Sequence, residues 1–137
     1  MLTIGAVAKR TGLKIPTIRF YEQEGLVATP PRTESGRRLY ADSQVRRLGF
    51  IRHARSLGFD LDDIRSLLDL ADHPERPCDG ADQIATKNLT AVRQRLEQLR
   101  ALEVELIRMI DACGGGQAGE CRIIESLGDH ALCAHEH

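Results

Sequence analysis

TIGAVAKRTGLKIPTIRFYEQEGLV, residues 3–27, holds two short helical patterns around a glycine-containing turn. Thr3 is a good N-cap for a helix from about Ile4 to Arg10, with Ile4, Val7 and Ala8 on one face, and Gly12 stops it. A second helix is expected from about Ile15 to Gln23, with Pro16 tolerated in its first turn. Paired short helices of this kind form a helix-turn-helix, a pattern that many helical hairpins share. The residues that follow narrow it.

Residues 26–41, LVATPPRTESGRRLYA, change character: Pro30-Pro31 and Glu34-Ser35-Gly36 are turn signals between short apolar ends. Two short strands, near Leu26–Val27 and Arg38–Tyr40, would enclose a basic loop as a wing. Asp42 or Ser43 then caps a helix to about Leu57, closed by Gly58. Asp60 caps another from about Leu61 to Leu70, with Leu61, Ile64, Leu67 and Leu68 on its buried side. His73-Pro74-Glu75-Arg76-Pro77 forbids continuation.

From Asp79 to Ala112 no proline occurs, and the only glycine is Gly80, in the first turn. Ala85, Leu89, Val92, Leu96, Leu99, Leu106 and Ile110 recur in alternating steps of four and three, broken only at Glu103. That is a coiled-coil seam of almost four heptads. Such a helix packs on its own domain or on a second copy, and the small head has little apolar surface left to cover it. Gly114-Gly115-Gly116 ends it, and Ile123, Ile124 and Leu127 suggest one or two further helical turns. The expected architecture is mostly α: a winged helix-turn-helix head (1–72), a linker (73–78), a long antiparallel coiled-coil dimerisation helix (79–112), and a metal-binding loop, short helix and tail (113–137).

At 137 residues there is room for one compact domain and an extension. Residues 1–58 hold 11 Lys/Arg against 4 Asp/Glu, and residues 59–137 hold 8 against 16. A basic head on an acidic body is either a polyanion-binding surface or a solvated face without a partner. No segment approaches 18 consecutive apolar residues, and the N-terminus lacks a long apolar core with a cleavage site. The expectation is a cytoplasmic protein without a membrane partner. No Ser-His-Asp grouping or paired carboxylates suggest catalysis, so no enzyme is expected.

The second helix would present Lys14, Ile15 and Thr17 at its start to base edges, with Arg19 and Tyr21 suited to phosphates. Arg32, Arg37, Arg38 and Tyr40 of the wing would grip flanking backbone; alternatively Tyr21 and Tyr40 pack in the small core. The four cysteines, Cys78, Cys113, Cys121 and Cys133, all lie in the second half. In a cytosolic chain such clustering indicates metal or redox chemistry rather than structural disulfides. Cys113 and Cys121 flank the glycine-rich loop GGGQAGE, which can bring two soft thiolates to one ion or hold a redox-active pair.

The stretch IGAVAKRTGLKIPTIRFYEQEGLV, the wing GRRLY and the following VRRLGFIRHARSLGFDLDDIRSLL resemble the MerR family of regulators, over residues 1 to about 127 and in family order. The resemblance implies a symmetric dimer on a promoter whose two recognition elements lie too far apart. Activation would distort the DNA so that RNA polymerase engages both. It also implies a metal efflux or detoxification gene as target.

Cys78 and Cys113 stand 35 residues apart, roughly 50 Å along a helix, too far to share a metal within one chain. Antiparallel pairing would set Cys78 of one subunit beside Cys113 and Cys121 of the other. In the family this position is Cys in sensors of divalent ions and Ser in sensors of Cu(I). Three thiolates around a divalent ion leave −1, whereas three around Cu(I) leave −2, costly in a low-dielectric site. A divalent soft ion follows: zinc first, with cadmium or lead as alternatives. The seven-residue loop between Cys113 and Cys121 also resembles the copper-sensing branch, so a Cu(I) sensor is one alternative and a thiol-redox switch another. Cys133, His135 and His137, with His130 nearby, would complete the site, hold a second ion, or form a scavenging tail without a regulatory role.

Overall fold

The computed structural model describes residues 1–112, 116–118 and 121–128, at Arg122 the backbone alone. Its elements run β1 (Leu2–Thr3), α1 (Ile4–Thr11), α2 (Ile15–Gln23), β2 (Leu39–Tyr40), α3 (Asp42–Ser56), α4 (Leu61–Ala71), α5 (Asp79–Ala112) and α6 (Arg122–Gly128). The mostly helical class, with a helix-turn-helix, a wing and a long helix, is the one the sequence predicts. The chain divides into two compact units, Met1–Asn88 and Leu89–His137.

In the first unit, local chemistry sets the helix ends. Thr3 accepts a hydrogen bond from Ala6 N (3.3 Å), and Asp60 accepts one from Asp63 N (2.8 Å). Each such cap contributes about 1 kcal/mol. Gly12 closes α1 in the left-handed conformation, φ 75°, with its N–H bonded to Ala8 O (2.9 Å). A side chain there would meet only the movable Arg52 guanidinium, at 3.0–3.1 Å, so it is the left-handed backbone that favours glycine. α3 begins one residue earlier than an Asp42 or Ser43 cap would place it. Ala41 is the N-cap residue, and its N–H donates to Gln44 Oε1 (2.8 Å). Asp42 instead falls in the first turn, where a negative charge suits the helix dipole.

The core joins Val7, Ile18, Tyr21, Leu26, Val27, Tyr40, Leu48, Ile51, Ala54, Ile64 and Leu68, drawn from α1 to α4, β2 and the segment after α2. Fully burying one such aliphatic side chain contributes about 1.5–3 kcal/mol. Leu61 and Leu67 of the expected α4 face are half-buried.

One expectation is corrected. Leu26–Val27 is not a strand; β2 pairs antiparallel with β1 instead, Leu2 opposite Tyr40 and Thr3 opposite Leu39. Leu26 and Val27 are both buried, whereas a strand would send adjacent side chains to opposite faces. The carbonyls a ladder would use are also taken by α3: Arg47 Nε donates to Leu26 O (2.6 Å) and Gln44 Nε2 to Ala28 O (2.9 Å). The wing is closed separately by a bridge between Arg32 and Arg38.

α5 spans the range its pattern predicts, Asp79–Ala112. Its seam residues Leu89, Val92, Leu96, Leu99, Leu106 and Ile110 are 43–61% exposed in the single chain. The second unit buries Glu105, Met109 and Ser126, and Glu105 pairs with Arg108. Among the described residues no helix is long and apolar enough to cross a membrane.

Candidate nucleic-acid interface and metal-ligating residues

α2 and the wing turn their basic residues toward one concavity. Its volume is about 410 Å³, and it is lined by Thr3, Ile4, Arg19, Arg32, Gly36, Arg37, Arg38 and Tyr40. Four arginines from two elements thus converge, and guanidinium forks match phosphate oxygens. Arg19 reaches it because Ile18 and Tyr21 face the core, turning their neighbour outward. The wing arginines are aimed by a tight turn. Thr33 N donates to Arg37 O (2.6 Å), Gly36 N to Thr33 O (2.9 Å), and Gly36 takes φ 82°, which a side chain would strain. Arg32 Nη1 donates to Gly36 O (3.0 Å), holding that guanidinium along the turn. Arg38 Nε is buried without a hydrogen-bond partner among the described residues.

At the start of α2, Lys14 is exposed and makes no side-chain cap bond, while Ile15 and Thr17 are half-buried. Lys14 is therefore the freest of the three to reach outward. Tyr40 is corrected from a surface grip to a core residue. It is fully buried, and its hydroxyl donates to Glu22 Oε1. Burial first, then the bond to Glu22 and its charge, raises the Tyr40 phenol well above its ordinary pKa; nearby Arg38 and Arg19 pull it down by less. Tyr21 has its ring in the core as well, tilted against Phe20 with centroids 5.8 Å apart. Thr3 and Ile4 also line the concavity, and the sequence reading did not assign them to it. Their signal was the N-cap pattern, which marks a helix start without showing what it faces.

Cys78 is exposed and immediately precedes α5. Cys121 is half-buried and immediately precedes α6; its N–H donates to Ala118 O (3.2 Å) and its carbonyl accepts from Glu125 N (3.1 Å). Cys113, Cys133, His130, His135 and His137 lie outside the described residues. Among the described residues no three His, Cys, Asp or Glu side chains cluster as a metal site. The Cys121 thiol, held at the start of α6, has the donor chemistry that fits a soft ion.

Two family descriptions match this chain: "MerR HTH family regulatory protein" over residues 2–71, and "MerR, DNA binding" over residues 45–109. The HTH-type transcriptional regulator ZntR of Escherichia coli strain K12 is 40% identical over 130 residues, covering 93% of this chain and 92% of that protein. The HTH-type transcriptional regulator CueR of Escherichia coli O6:H1 is 34% identical over 134 residues, with 98% and 97% covered. Among solved structures, the transcription regulator PbrR691 from Ralstonia metallidurans CH34 in complex with lead(II) superimposes with a TM-score of 0.77 at 39% identity, covering 93% of this chain and 99% of that one.

Proposed function

The chain belongs to the MerR family of helix-turn-helix regulatory proteins, and from that premise we propose that it is a homodimeric repressor-activator of a metal efflux or detoxification gene. As a member of this family it is a DNA-binding regulator and not an enzyme. The observation that carries the reading is the convergence of Arg19 with Arg32, Arg37 and Arg38 on one concavity of the head. Those guanidinium groups hold phosphates and fix register, while Lys14, Ile15 and Thr17 at the start of α2 read bases. The dimer occupies promoter DNA and, once metal binds, distorts it so that RNA polymerase engages both promoter elements.

The effector is a soft divalent ion: zinc, with cadmium or lead as alternatives. Support comes from the lead(II)-bound structure of a 39% identical relative and from the thiols Cys78, Cys113 and Cys121. When bound, the ion supplies a charge-compensated anchor that ties three thiolates together, two from one subunit's loop and Cys78 from the other. Cys133, His135 and His137 are candidate further ligands. Similarity extends both to ZntR and to CueR, so the choice of a divalent ion over Cu(I) rests on the third thiol, Cys78.

The experiment is a metal panel with thiols reduced, read as affinity and as transcription from a promoter the protein binds. Tightest response to zinc, cadmium or lead is expected. Response to Cu(I) alone would replace the divalent reading, and response to oxidant without metal would replace sensing by redox switching.

A further inference from the structure

Two helix C-termini in the first unit are closed by side chains arriving from later elements. The last carbonyls of a helix have no partners within it. At the end of α3, Leu57 O accepts from Nδ2 of Asn88 on α5 (2.9 Å). At the end of α2, Glu24 O accepts from Nη2 of Arg65 on α4 (2.9 Å), and the same nitrogen reaches Glu24 Oε2 (2.7 Å). One residue before Asn88, Lys87 Nζ lies 3.0 Å from Oδ1 of Asp63, two residues from Arg65 on α4. Lys87 thus ties α5 to α4, Arg65 ties α4 to the C-cap of the helix that carries Arg19, and Asn88 ties α5 to the end of α3. Lys87 and Asn88 are also the last two residues of the first unit.

Lys87 is two-thirds exposed, so its pair with the largely covered Asp63 adds little stability in water, and its contribution lies in geometry. Apolar side chains tolerate sliding, whereas a hydrogen bond weakens steeply as its angle departs from linear. The turn after α3 presents the Leu57 carbonyl through Gly58 at φ 91°, and a Cβ there would rest 3.7 Å from Asn88 Oδ1. The Asn88 amide thus sits against a fixed backbone turn.

We propose that Lys87 and Asn88 are positioning residues that transmit metal occupancy from α5 to α2: Lys87 through Asp63 and the Arg65–Glu24 contact of α4, and Asn88 by fixing α5 on the Leu57 carbonyl of α3. This rests on the metal-sensing reading above. Neither residue belongs to the proposed ligand set or to the basic concavity. Their loss is expected to separate binding from response.

The test uses the reduced full-length protein, zinc as the metal, and a duplex selected by the wild type from a random pool, with 2-aminopurine at its centre reporting distortion. For Asn88→Ala and Lys87→Ala combined, zinc affinity and metal-free duplex affinity should stay within about threefold of wild type, while the zinc-induced fluorescence change falls about tenfold, within the usual range of coupling between sites. The exchange Asp63→Lys/Lys87→Asp should recover response lost in either single variant. A double variant that responds fully, beside a wild type that also responds, overturns the proposal. If the Asn88 variant does not fold, the exchange decides alone, and failure to recover overturns it. A wild type that answers no metal removes the sensing reading instead. Amide exchange then decides the coupling: residues 18–24 should exchange faster in Asn88→Ala, and unchanged exchange overturns it.

Discussion

Tyr40 ties the wing to the second helix through one part-buried bond, because its hydroxyl donates to Glu22 while its backbone continues β2. Tyr40→Phe should therefore cost about 1 kcal/mol at neutral pH, measured by urea unfolding. The raised phenol pKa gives this cost a sign in alkali. The folded state favours the neutral ring, so its contribution is complete below the ordinary phenol value near pH 10 and is lost as pH rises toward the folded value. The stability gap between wild type and Tyr40→Phe should narrow above about pH 10; a gap that widens there would mean the ring ionises more easily in the fold. Arg19 and Arg37 act outside the core. Replacing either by Ala should weaken binding to every duplex and reduce the slope of log K against log salt by about one unit. Lost sequence preference with an intact slope would contradict phosphate contact. The four arginines were legible as phosphate-binding candidates, Arg19 on the second helix and the other three in the wing, though a basic face can equally be merely solvated; their convergence was not. The tyrosines were not, since an aromatic beside arginines reads alike whether its ring lies on DNA or under it.

The helices announced themselves through capping residues and apolar spacing, and α2, α5 and the Asp60 cap of α4 fall where those signals put them. The strand pairing was illegible for a physical reason. Two-residue strands offer no alternation, and Leu2–Thr3 carries its information at Thr3 as a helix cap. Nor does a local pattern report that Arg47 and Gln44 have already claimed the carbonyls at Leu26 and Ala28. The long helix poses the opposite case, a clear pattern whose partner lies outside the chain. Leu96 and Leu99 are about half exposed, and a stripe of that size is costly to leave in water. Leu96→Glu with Leu99→Glu should give monomers by light scattering and abolish specific duplex binding, since like charges then face each other across the seam. A dimer of unchanged mass would place the subunit contact elsewhere.

At the scale of the whole protein, the proposed three-cysteine site would require a second copy. Cys78 precedes a 34-residue helix and Cys113 follows it, so by their spacing one chain cannot bring both to a single ion. On the proposed reading, antiparallel pairing would let Cys78 of one subunit meet Cys113 and Cys121 of the other. Complementation between chains tests this directly. A Cys78→Ser chain and a Cys113→Ser/Cys121→Ser chain should each fail to sense metal as homodimers. Co-expressed with different tags and purified as a heterodimer, they should regain one site, built from the loop of the first and Cys78 of the second. The other site in that heterodimer would keep none of the three thiols. Metal titration under reducing conditions should therefore approach one tight ion per heterodimer, against two per wild-type dimer. Thiolate ligands must be deprotonated and held in place, so removing one of three should weaken the site by orders of magnitude. A heterodimer that binds no more metal than either parent would exclude a site shared between subunits. If Cys78→Ser alone keeps its full response to zinc and cadmium, Cys78 only marks the start of α5. Cys133, His135 and His137 then become the residues to replace, because zinc accepts mixed sulfur and nitrogen ligands and the loop supplies just two.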